Sequence, residues 1–196
     1  ALGGIALVGV TYLLGRRLYG RWTGVASAGA LLGTTEFLRY ARFGTFDVLQ
    51  LFFFAALILA YLGKSPARRS GESGLAHLDD ATAAEGLGAS PYWGWFWLAS
   101  AGCFMTKGPL VFLAWGVVGF HFVVTRRFGT LAKPSFWWGL GLFAVLVLPW
   151  HVAAYLAQPE GFWREYVVKN YVTRGAQVLD GHEGTAFFYL RVLVNK

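Results

Sequence analysis

Three short stretches hold the residues whose types suit chemistry. In "FMTKGPLVFLAW" (Phe104–Trp115), Lys107 stands in a run of 34 residues, Tyr92 to Thr125, that is otherwise almost wholly apolar. A lysine at the centre of a membrane helix costs about 2.5–3.5 kcal/mol, and less near an interface. It either snorkels to the headgroups along its own apolar stem or serves as a fixed cation for an anionic ligand. In "EFLRYARFGTFD" (Glu36–Asp47), Glu36 and Arg39 stand i, i+3 and suit a helical ion pair. Asp47 opens an apolar run whose next charge is Lys64. An aspartate there suits an N-cap, accepting from exposed amides and favouring the dipole, a role that does not exclude chemistry. In "DGHEG" (Asp180–Gly184), His182 and Glu183 occupy a glycine-framed turn. A histidine beside carboxylates suits a metal, but one pair falls short of the usual three or four ligands. A solvated loop is the other reading of that turn.

The elements that must position these residues follow from composition. Hydrophobic residues make up 56% of the 196 and charged residues 14%, where a soluble domain carries about a quarter charged. Apolar runs recur at Ala1–Gly15, Val25–Leu38, Val48–Gly63, Tyr92–Met105, Leu110–Thr125 and Phe136–Leu156. No soluble core of this size needs so many, so the expectation is a polytopic, all-α membrane protein of about six spans. In hydrocarbon the backbone must satisfy its own hydrogen bonds, which leaves helices or a closed barrel. "LFFFAALILAYL" (Leu51–Leu62) does not alternate as barrel strands do. Nine Trp, nine Tyr and 26 Gly fit helices with aromatic interfaces and close approaches.

Net charge is +7, but the basic residues sit in short links between runs rather than on a nucleic-acid patch. Three links, Gly15–Trp22, Lys64–Arg69 and Thr125–Lys133, each carry three Lys or Arg. They alternate with links around Arg39–Asp47, around Lys107 and after Leu156. The positive-inside rule assigns the basic links to the cytoplasm and the others to the outer face. The segment 64–91, rich in Gly, Ala and Ser, reads as a flexible cytoplasmic loop. Its "LDD" (Leu78–Asp80) falls on the wrong side for a metal–nucleotide motif. Val48–Gly63 is short, and Gly44–Asp47 and Lys64 are expected to lengthen it.

As one helix, the Tyr92–Thr125 run would measure roughly 51 Å, too long for one span. Gly108 and Pro109 break it into two antiparallel helices, with Lys107 at the outer turn. "TKG" is no phosphate loop, because GxxxxGK and a preceding strand are absent. Residues 158–184 read as an outer-face amphipathic segment, with Phe162, Trp163, Tyr166, Val167 and Tyr171 on one face and Arg164, Glu165 and Lys169 off it. His121, alone in an apolar helix, reads as packed and satisfied. Cys103 lies in an apolar run, and a single cysteine supports no disulfide framework. The ends of the chain read as cut from a longer membrane protein.

The order of motifs carries a resemblance. "YLLGRRLYG", "ARFGTFDVLQLFFF", "AGCFMTKGPLVFL", "VLPWHVAAYL", "EGFWREYVVKNYVTR" and "GHEGTAFFYL" follow one another. This succession is similar to the bacterial GT-C integral-membrane glycosyltransferases, nearest the lipid A aminoarabinose transferases and protein O-mannosyltransferases. "TKGP" followed by "LPW" is its most specific part.

The resemblance implies a GT-C-like transmembrane bundle in the plasma (inner) membrane, acting at the periplasmic face. It implies transfer of a sugar from a polyprenyl-phosphate carrier to a lipid or protein acceptor, with no nucleic acid involved. The family's main catalytic carboxylate is expected upstream of this chain. Asp47 matches the aspartate that opens the family's "R-x-D" span, whereas Arg42 matches its arginine only loosely, since "FGTF" intervenes. Lys107 matches the lysine of the "TKGP" turn. His182 matches the histidine of an "HG-x-P" turn, with Glu183 standing where the pattern departs. These matches imply that Lys107 meets the leaving phosphate. They leave Asp47 orienting the acceptor, a basic neighbour or a divalent ion, and His182 ligating that ion or contacting the phosphate. The alternative from another class is a transporter or lipid flippase, where broken helices and charges fall near the midplane. A structural subunit would leave Lys107 and Asp47 without purpose.

Overall fold

A chain this apolar has to satisfy its backbone internally, and it does so by winding into helices. The computed structural model describes residues 2–63, 91–108, 110–126 and 128–173, and among them every regular element is helical, with no strand. The chain divides into two units, Ala1–Leu148 and Pro149–Lys196.

In the first unit, α1 (Leu2–Tyr19) turns back at Gly20 into α2 (Arg21–Gly33). Two glycines let these backbones touch. A Cβ on Gly24 would lie 2.7 Å from the Tyr12 carbonyl oxygen and 2.9 Å from the Arg16 nitrogen, and one on Gly15 would lie 3.0 Å from Gly24 Cα. Small residues are what close crossings of apolar helices require.

The run Val25–Leu38, expected as one span, is not one helix. α2 stops at Gly33, Thr34 is extended (φ −83°, ψ 114°), and α3 (Thr35–Phe43) follows. The Thr34 hydroxyl donates to the Ala30 carbonyl at 3.0 Å, a local bond of the kind that competes with or bends a helix. Glu36, in the first turn of α3, favours a new helix start. It approaches Arg39 at 4.0 Å, both exposed, at the spacing expected of them.

α3 meets α4 (Phe46–Leu62) at a bend of 110° through Gly44. α4 starts before Val48, so Phe46 and Asp47 do lengthen it. It packs against α1 and against α5 (Trp93–Lys107). α4 and α5 run antiparallel: the Tyr92 N–H donates to the Ala60 carbonyl at 2.9 Å at one end, and Lys107 reaches Asp47 at the other.

The break at "TKGP" is present. Gly108, at φ 43°, caps α5 by donating to the Phe104 carbonyl at 2.8 Å, and α6 (Leu110–Thr125) returns. Ring pairs run in reverse order along the hairpin: Phe104–Phe112 at 6.0 Å, Trp97–Trp115 at 5.6 Å and Trp93–Phe122 at 6.0 Å. The core of this unit gathers Leu57, Tyr61, Phe96, Val111 and Val118 around those indoles. His121 is satisfied, as expected, by a hydrogen bond with the Tyr61 hydroxyl.

α7 (Pro134–Ala157) has 24 residues and carries Pro149. It enters the core through Phe136, 4.7 Å from the Trp93 ring. Among the described residues it is the one helix long and apolar enough by itself to cross a membrane, and α3 with α4 passes the same test only as a bent pair. The remaining apolar helices, α1, α2, α5 and α6, have 18, 13, 15 and 16 residues, short of the roughly 20 a span takes.

Charge is divided between the ends of this unit. Arg17 Nη2 lies 3.5 Å from the Leu62 carbonyl at the end of α4. Tyr61 packs edge-on to His121 and Phe122 near the end of α6, shortly before Arg126. The basic ends of α1 and α6 therefore share the end where α4 finishes, and Asp47 and Lys107 stand at the opposite end. Residues 64–90 of the expected loop lie outside the described residues.

In the second unit the chain leaves α7, makes a helical turn at Pro159–Gly161 and winds from Phe162 to Thr173 as a π-helix. Arg164, Glu165 and Lys169 are exposed. Phe162 and Tyr166 pack ring to ring at 5.1 Å, and Trp163, 56% exposed, meets Phe162 edge-on at 6.5 Å. Residues 174–184 lie outside the described residues.

Candidate functional site

Asp47 is the second residue of α4, and Lys107 is the last residue of α5. Thr45, not Asp47, holds the N-cap position, and its side chain makes no capping bond. Asp47 lies instead in the first turn, where free N–H groups favour a negative charge, and Lys107 lies in a last turn, where free carbonyls favour a positive one. Each such placement contributes about 0.3–1 kcal/mol at an exposed end. Because the two helices are antiparallel, these preferences bring the charges to the same end. There Lys107 Nζ donates to Asp47 Oδ1.

The pair is open to ligands. The Lys107 and Asp47 side chains keep 52% and 50% of their exposure, so an anion can reach the ammonium without unearthing a buried charge. A half-exposed pair contributes only about 0–1 kcal/mol to stability, so it is weakly placed as a staple. The other two ion pairs among the described residues, Glu36–Arg39 and Glu165–Lys169, are local pairs within one helix. Lys107–Asp47 is the one that joins two helices.

Beneath the pair lies a polar layer in an apolar bundle. Gln50 is buried. Its Nε2 donates to Cys103 Sγ at 3.3 Å, and its Oε1 accepts from the Thr106 hydroxyl. Interhelical hydrogen bonds of this kind contribute about 0.6 kcal/mol on average in membrane proteins. Gln50 and Thr106 were not among the candidates. The signal for Gln50 was present in the sequence: it is the lone amide in the apolar run Val48–Gly63.

Arg42 is exposed in the last turn of α3 and makes no ion pair or hydrogen bond among the described residues. The structure thus brings Lys107 to Asp47 and leaves Arg42 out of their contact. His182 and Glu183 lie outside the described residues. Among the described residues, no group of three His, Cys, Asp or Glu stands together to hold a metal.

In the second unit, His151 Nε2 lies 2.8 Å from the Tyr166 hydroxyl, between Trp150 at 4.8 Å and Phe162 at 6.3 Å. Glu165 is held below the ordinary glutamate value of 4.5, first by its hydrogen bond from Lys169 at 2.9 Å and then by the lysine and Arg164 charges.

Fold and site together define a chain whose described residues are helical in every regular element, with a membrane-length helix and an exposed ion pair between two helix ends. No family model, no curated protein and no solved structure matches this chain.

Proposed function

We propose that this chain is part of a multi-pass glycosyltransferase of the plasma membrane, with a GT-C-like bundle of about six spans. It moves a sugar from a polyprenyl-phosphate carrier to a lipid or protein acceptor at the periplasmic face. The observation that carries the reading is the open Lys107–Asp47 pair at the end of the α4–α5 pair opposite the basic helix ends. With the basic ends at the cytoplasm, the pair falls at the outer surface, where a lipid-linked phosphate lies.

In the step itself, an acceptor oxygen forms a bond to the anomeric carbon, and its proton passes to a carboxylate general base. The bond from that carbon to the phosphate oxygen breaks, and its electron pair stays on the phosphate. The leaving polyprenyl phosphate gains one negative charge as this happens. Lys107, released from Asp47 by the arriving phosphate, neutralises that growing charge as a fixed cation aimed at it. Asp47, freed in turn, accepts a hydrogen bond from the acceptor or steadies a basic neighbour.

The test is a transfer assay on the full-length protein in proteoliposomes, offering a panel of polyprenyl-phosphate sugars with lipid and peptide acceptors and counting released polyprenyl phosphate. The expected result is release that needs an acceptor and collapses in Lys107→Ala. No release from any donor by folded protein overturns the reading and favours a transporter or flippase.

A further inference from the structure

Gln50 is 3% exposed, so its amide is shut off from bulk solvent. It stands one helical turn from Asp47 on α4, and both ends of its amide grip the turn of α5 that carries Lys107. Cys103 lies four residues before Lys107, and Thr106 immediately before it. The single proton of the Thr106 hydroxyl is shared among Gln50 Oε1 and the carbonyls of Gly102, at 3.0 Å, and Cys103, at 2.9 Å. An apolar side chain of similar size would join the helices without the cost of burying an amide. What the amide adds is direction: it sets how α5 is rotated and how far it is advanced along α4.

We infer that Gln50 is a positioning residue: acting through Thr106 and Cys103, it holds the last turn of α5 so that Lys107 stays at Asp47 and is presented to the incoming phosphate. The inference rests on the glycosyl-transfer reading for the identity of that anion. Packing does not depend on the bridge, because the Phe53 ring also lies directly against Gly102 on the same face of α5. The bridge therefore governs where the Lys107 ammonium sits more than whether α4 and α5 associate.

The experiment uses the full-length protein in proteoliposomes and reads two quantities. One is the rate at which a water-soluble reagent acylates the Lys107 amine, followed by mass spectrometry of the peptide that contains it. The other is acceptor-dependent release of polyprenyl phosphate. Gln50→Leu, Thr106→Val and Thr106→Ser are compared, each alone and combined with Asp47→Asn. Thr106→Val matches the native shape, so it keeps the test valid if Gln50→Leu does not fold.

Gln50→Leu and Thr106→Val are expected to expose Lys107 to faster acylation and to lower release at saturating donor by about tenfold or more, as small misplacements of a reacting group do. Thr106→Ser, which keeps the hydroxyl, is expected to behave as the native protein. In the Asp47→Asn background the acylation differences are expected to vanish. Acylation that Asp47→Asn accelerates but Gln50→Leu and Thr106→Val leave unchanged overturns the positioning role. The expected acylation pattern without release from any donor overturns the transfer reading and leaves the positioning of Lys107 standing.

Discussion

Lys107 donates to Asp47 across 60 positions of sequence, and each stands at the helix end whose dipole favours its own charge. The contact is conditional on three things: the antiparallel course of α4 and α5, the stop at Gly108, and the bend before Phe46. Its exposure makes it a weak stabiliser and an accessible one, which is the combination a binding cation needs.

Removing either charge should therefore separate activity from stability. Lys107→Ala and Asp47→Asn are expected to change the thermal unfolding of the detergent-solubilised protein by no more than about 1 kcal/mol. Lys107→Ala should cut transfer by about 10²–10³-fold, the scale of losing one fixed group at a developing charge. Unfolding curves and release rates measured on the same samples decide this. A mutant that unfolds as early as it loses activity would return the pair to a structural role.

The crossing of α1 and α2 depends on the absence of a side chain at Gly24. A Cβ there meets backbone atoms at 2.7 and 2.9 Å, and backbone cannot swing aside as a long side chain can. Gly24→Ala is expected to destabilise the protein by about 1–3 kcal/mol, as overpacking does. Gly29, in the same helix, has nothing within 4 Å of its would-be Cβ. Gly29→Ala should be neutral or stabilising, by up to about 1 kcal/mol from helix propensity. Paired denaturation curves check the contrast.

Between α5 and α6, Trp115 Nε1 donates to Ser100 Oγ at 3.2 Å, and Ser100 is fully buried. Ser100→Ala and Trp115→Phe are each expected to destabilise the hairpin. Their double mutant should fall short of the sum by about 0.6–1.7 kcal/mol, the coupling found for interhelical hydrogen bonds. Full additivity would mean that the rings alone hold the hairpin.

Glu165 provides a pH prediction in the second unit. Its carboxyl is held below 4.5 in the folded chain, so its contribution is complete above the unfolded value and is lost as pH falls through the lower folded one. In a carbon-detected NMR titration Glu165 should titrate below 4.5, and Lys169→Gln should return it upward. High salt should act in the same direction as the substitution, because the pair is exposed to solvent. A titration indifferent to both would remove Lys169 as the cause.

Much of the fold was legible because its causes are local. Apolar runs of 14–21 residues cannot leave backbone unpaired in hydrocarbon, so they read as helices, and helices are what the described residues show. "TKGP" announced its own turn, since proline lacks a donor and disfavours helix before it. The break at Thr34 was less legible. Its residues are compatible with a continuing helix, and what α3 gains after the break, burial of Phe37 with Leu7 and Val48, exists only in the folded chain.

What the sequence by itself determined, then, is the helical class, the hairpin at Gly108, the packed state of His121 and the short list of charged residues set apart in apolar surroundings. Only tertiary structure decided that Lys107 meets Asp47 while Arg42 does not, and that Gln50 grips Thr106. The physical reason is range. Propensity, capping and breakers act within a turn or two of helix. Which ends of which helices come together is set by close approaches such as Gly15 on Gly24 and by ring stacking between α5, α6 and α7, interactions that exist only after the chain has folded back on itself.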